Sequence, residues 1–97
     1  MRNIRKVSEM TYKDIADYIQ ILELDGDDIN LLKTLQTVAI NYVEAYTGQD
    51  KDAYPDFVIA VFVLCQDMWD NRTLYVDKSN VSKVVETILN MHSNNLL

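Results

Sequence analysis

Apolar residues return at three- and four-residue intervals along most of this chain, and that period predicts helices. The first run is Ile15, Tyr18, Ile19 and Leu22, preceded by Thr11 with Asp14 three residues on. A threonine hydroxyl accepts from a free amide at a helix start, and an acid there meets the positive end of the helix dipole. A short helix is predicted from Thr11, ending before Gly26. The second run is the longest: Leu31, Leu32, Leu35, Val38, Ala39, Tyr42, Val43 and Tyr46 fall on one stripe. Asp27 or Asp28 is expected to cap it, and Gly48 to stop it in the left-handed conformation that glycine adopts without strain. The predicted helix covers about residues 28–47.

The third run, "YPDFVIAVFVLCQDMWDNR", carries two patterns. "FVIAVFVLC" has the β-branched residues of a buried strand. Yet Pro55 followed by Asp56 makes a good first helical turn. Val61, Leu64, Cys65, Met68 and Trp69 also keep helical spacing beyond the apolar run. A helix is favoured, and one that is apolar all round belongs in the middle of a bundle or in a subunit interface. The fourth run, Val81, Val84, Val85, Ile88 and Leu89, predicts a helix from Asn80 or Val81 to about His92. "TLYVDKSN" before it reads as a connector, and "SNNLL" after it as a frayed tail. The expected fold is all-α, a small four-helix bundle-like domain with a long second helix and a buried third. It is one domain over residues 1–97, with an N-terminal arm (1–10), a helical core (11–92) and a flexible tail (93–97).

Composition narrows the function. The 97 residues carry a net charge of −6 with nine basic side chains. Gripping DNA or an anionic membrane needs a clustered basic surface, and Arg2, Arg5 and Lys6 are too few to make one. The single cysteine, Cys65, lies in an apolar run and reads as a small buried hydrophobe. One cysteine forms no intrachain disulfide, which suits a reducing compartment. "MRNIRKVSEMTYKD" lacks the apolar core of a secretory signal. The longest apolar run, Phe57 to Cys65, falls far short of the roughly 20 residues of a membrane span. A soluble, cytoplasmic protein is expected.

"LELDGDDINLL" looks like a calcium loop but fails the spacing. With Gly26 at the sixth position of such a loop, Ile21 takes the first and Leu32 the twelfth, and neither side chain ligates a metal. The acids are better placed as the charged start of the second helix. His92, the only histidine, is expected to lie exposed at a helix C-terminus. Two glycines are too few for a phosphate-cradling loop. No catalytic, cofactor-binding or metal-binding residue is assigned, and an enzyme is not expected.

The remaining candidates are protein contacts. Trp69 and Arg72 end the third helix; tryptophan and arginine are enriched among interface hot spots, although a tryptophan there also suits the core. Ile29 and Ile40 lie off the main stripe of the second helix. They stand close to three full turns apart at 3.6 residues per turn, and so share one azimuth. That flank either meets a neighbour or is buried under the arm or first helix. Met91 falls outside the fourth stripe, and Leu96 and Leu97 follow "SNN" where they cannot readily join a core.

The order of these pieces resembles the head–tail connector proteins, or DNA-packaging adaptors, of tailed double-stranded DNA bacteriophages. "YKDIADYIQILELDGDDINLLKTLQTVAINYVEAYTG" is similar to that family's short helix, acidic turn and long helix closing in Tyr46, Thr47 and Gly48. "YPDFVIAVFVLCQDMWDNR" is similar to its central apolar helix, ending in an aromatic and then Asn-Arg, here Trp69, Asn71 and Arg72. A last helix of the "VSKVVETIL" type follows, so the likeness spans about residues 11–92. Trp69 stands where tyrosine is more usual, and the first ten residues look like an extra extension. The resemblance implies a non-enzymatic virion protein of a phage or prophage, made in the bacterial cytoplasm and residing in the neck of the particle. It implies a ring beneath the portal, sharing the portal's twelve-fold symmetry, through which duplex DNA passes without sequence-specific binding. Its partners would be its own copies, the portal, contacted by the last helix and tail (Met91, His92, Leu96, Leu97), and a tail-side stopper or completion protein. The alternative is a small helical regulator of phage or bacterial origin that binds one protein.

Overall fold

In the computed structural model, which describes residues 4–93, three of the four α-helices start at a side chain that takes up a free amide. Thr11 Oγ1 accepts from the amide of Asp14, and Asp14 Oδ2 accepts from the amide of Thr11 at 2.8 Å. This reciprocal pair opens α1, Tyr12–Ile19. The second helix, α2, runs Gly26–Thr47. Its cap is Asp25 rather than Asp27 or Asp28: Asp25 Oδ1 accepts from the amide of Asp28 at 2.8 Å, and Asp28 returns the bond. Asp27 and Asp28 occupy the first turn, where the dipole favours acid. Pro55 leads into α3, Asp56–Asn71, with φ already helical at −60°. The last helix, α4, is Lys83–Met91, shorter than expected, because Ser82 is its cap and its hydroxyl accepts from the amide of Val84.

Three helices end in a left-handed residue. Gly48 does so as expected, at φ 69°. Gln20 (φ 69°) and Arg72 (φ 58°) do so without glycine's freedom. Ile21 N–H to the Ala16 carbonyl (2.9 Å) and Thr73 N–H to the Met68 carbonyl (3.0 Å) close these two ends as six-residue turns. The early stop at Gln20 corrects the first stripe: Leu22 leaves the helix face and is 97% exposed.

The architecture is all-α and four-helix bundle-like, with no strand among the described residues. The "FVIAVFVLC" segment is helical and central: α3 packs against α1, α2, α4 and the one-turn helix Val7–Glu9. Phe57, Ala60, Val61, Leu64, Cys65 and Met68 are buried, while Ile59 faces out, so α3 is not apolar-packed on every side. Each large side chain so buried contributes about 1.5–3 kcal/mol relative to exposure. From α2 the buried line is Leu32, Leu35, Ala39, Val43 and Thr47, with Leu31, Val38, Tyr42 and Tyr46 half-buried along its flanks. From α4 it is Val85, Ile88 and Leu89; Val84, expected in this stripe, is exposed.

The N-terminal arm is more than an added extension. Val7 and Met10 are buried in the core, and Gln36 Nε2 donates to the Met10 carbonyl at 3.1 Å. The Ser8 amide donates to Asp52 Oδ1 at 2.9 Å, and this bond holds the Asp52 carboxyl below its usual range. Neighbouring helices in the α2–α3–α4 series run antiparallel. Leu31 and Leu35 of α2 lie beside Met68 and Trp69 of α3, and His92 after α4 lies beside Asp56 at the start of α3. The bundle therefore has two distinct ends. No helix among the described residues is long and apolar enough to cross a membrane.

Candidate protein-interaction site

The end of the bundle at Asp56 is tightly bonded. Thr47, fully buried, donates from Oγ1 to the Val43 carbonyl at 2.7 Å and accepts from the Gln49 amide at 3.1 Å. The Tyr46 hydroxyl donates to Asn90 Oδ1, and Gln49 Nε2 donates to the His92 carbonyl at 3.3 Å. Tyr46 and Gln49 thus tie the end of α2 to the end of α4, while Thr47 and Gly48 bond back within α2. His92 sits here too. Its ring stacks on Tyr54 with centroids 3.7 Å apart, meets Phe57 edge-on at 5.6 Å, and places Nε2 3.2 Å from Asp56 Oδ2. Its side chain is only 15% exposed, which corrects the expectation of an exposed histidine. The flat imidazole found aromatic partners, and the helix-end position alone carried no sign of them. Met91, one residue earlier, does point to solvent.

Cys65 lies eight residues along α3 from Phe57, about 12 Å at 1.5 Å per residue, and is remote from His92. Burial pushes its thiol up to about 12, so it stays protonated and unreactive. Ile29 and Ile40 are both half-buried on α2, and Ile40 packs against the core. Leu96 and Leu97 lie outside the described residues.

The opposite end is open. Trp69 and Arg72 come together there, the guanidinium carbon 5.4 Å from the centre of the indole ring. They border a groove of about 200 Å³ with Leu31, Leu35, Met68 and Leu74. Leu74 and its neighbour Tyr75 are exposed members of the connector between α3 and α4. Sequence reasoning found Trp69 and Arg72 but missed Leu31 and Leu74 as their neighbours. The one available signal was the run of three apolar residues, Leu74, Tyr75 and Val76, in a connector rich in turn formers. On the α4 side of the same connector, Asp67, Asn71, Asp77 and Asn80 share a mixed cleft of about 220 Å³ with Met68 and Val81. Partial burial, and then the charge of Asp70, push the Asp67 carboxyl up.

The open end thus carries an apolar groove with a cation on its rim. In comparisons with known proteins, no family model, curated sequence or solved structure matches this chain.

Proposed function

We propose that this chain is a head–tail connector subunit of a tailed bacteriophage or prophage, which assembles as a ring under the portal and extends the DNA channel. The observation that carries this reading is the order of motifs over residues 11–92. The same motifs sit at the two ends of the bundle: Tyr46-Thr47-Gly48 closes one, and Trp69 and Arg72 border the groove at the other. A ring subunit meets neighbours on two faces and the next protein on a third. Exposed apolar residues are spread accordingly, with Leu22, Leu74 and Tyr75 at the open end, Ile59 on α3, and Val84 and Met91 on α4. Met91 with the residues after α4 would meet the portal, and another face would meet the stopper. The net charge of −6 suits a channel wall past which duplex DNA must slide. Negative-stain imaging of the protein alone and with its portal tests the reading. Rings seated on the portal support it, and a monomer that leaves the portal bare refutes it.

A second reading is favoured by the groove itself. A small regulator that captures one apolar peptide would use the same Trp69–Arg72 rim. It would bind one partner with unit stoichiometry and form no ring.

A further inference from the structure

Leu22 is the most exposed large apolar residue among those described, at 97%. It is held in place nonetheless. On one side Ile21 packs toward the core and its amide bonds to the Ala16 carbonyl at 2.9 Å. On the other Leu24 packs inward and Asp25 is fixed by its reciprocal cap with Asp28. The loop therefore presents one leucine as a fixed knob, beside the exposed carboxylates of Glu23, Asp25 and Asp27. A preformed knob loses little freedom on docking.

The groove at Trp69 is its chemical complement. Its floor and walls are apolar, and its volume of about 200 Å³ exceeds the roughly 150 Å³ that takes up a benzene-sized group. Arg72 is exposed on the rim, and no carboxylate pairs with it among the described residues. The chain's own knob does not fill the groove, since Leu22 touches almost nothing.

We infer that the Leu22–Glu23 loop of one copy docks in the Trp69–Arg72 groove of a second copy. Leu22 enters between Leu31, Trp69 and Leu74, and Glu23 pairs with Arg72. The contact joins two different surfaces, so it either closes reciprocally in a pair or runs head to tail into a ring. Of the neck reading, the inference rests only on the premise that copies meet.

Sedimentation of the purified chain and its variants tests this contact. Leu22→Asp is expected to weaken self-association by about tenfold or more. Glu23→Arg and Arg72→Glu should each weaken it, and the two together should restore it. Oxidising a mixture of Leu22→Cys and Leu74→Cys proteins should give a cross-linked heterodimer, with buried Cys65 as a silent background. Leu22 is solvent-exposed, so loss of fold will not mimic loss of contact, and circular dichroism checks this. Association unchanged by Leu22→Asp, or no rescue by the charge swap, overturns the contact. If Leu22→Asp still forms rings on the portal, the contact falls and the neck reading stands. Cross-linking with the portal left bare has the opposite meaning.

Discussion

At one end of the bundle His92 stacks on Tyr54 and Phe57 meets both rings edge-on, while Thr47, Gln49 and Tyr46 bond the surrounding backbone and side chains. At the other, Leu31, Trp69 and Leu74 line a groove that no described residue covers. Both ends hold an aromatic ring beside a charged or chargeable group. They differ in whether the chain supplies the partner. His92 has Asp56 within 3.2 Å, whereas Arg72 has no acid paired with it among the described residues. Polar groups satisfied inside the fold stabilise it; those left at the rim of an apolar surface are available to another molecule.

The comparison can be broken first at Phe57. It is fully buried at the closed end, and Phe57→Ala should cost about 3–5 kcal/mol in urea unfolding. A loss below about 1 kcal/mol would show that the stack is peripheral to the core. His92→Ala should cost roughly 1–2 kcal/mol, from the lost ring stack and the Asp56 bond. His92→Phe keeps a ring on Tyr54 and should recover part of that loss in thermal melts. No recovery would assign the effect to the Asp56 contact alone.

At the open end the expected effects on stability are small. Asp67 has its carboxyl pushed up in the folded state by burial and by Asp70. The folded protein therefore keeps this proton to higher pH than the unfolded chain does. Asp67 favours the fold below the ordinary carboxylate range, and stability is lost as pH rises through the raised value. Asp67→Asn should remove this slope and gain under about 1 kcal/mol at neutral pH, since solvent still screens a half-buried carboxylate. A loss of stability would mean that the carboxylate itself is used. Leu74→Ser should change stability by no more than about 0.5 kcal/mol while weakening self-association. A clear drop in melting temperature would make Leu74 a core residue and remove it from the docking surface.

The helices and their limits were largely legible because their causes are local. Thr11 and Asp14, the acids before α2, Pro55 and Gly48 act on amides and carbonyls within a few residues of themselves. The misplaced cap is a local matter too: Asp25, Asp27 and Asp28 are all competent, and only the chain path picked Asp25. The left-handed ends at Gln20 and Arg72 carry no such signal, because neither residue prefers that conformation. The tertiary contacts of Ile21 and of the α3–α4 connector accompany them, and one consequence is the exposure of Leu22. The same holds for His92, buried by rings some 35 positions away in sequence. Periodicity determined which residues could be inside, since a 3.6-residue repeat is a property of the chain alone. Which end of the bundle closed and which stayed open was decided by tertiary structure. Leu31, Trp69 and Leu74 belong to α2, α3 and the connector, and only packing brings them to one groove.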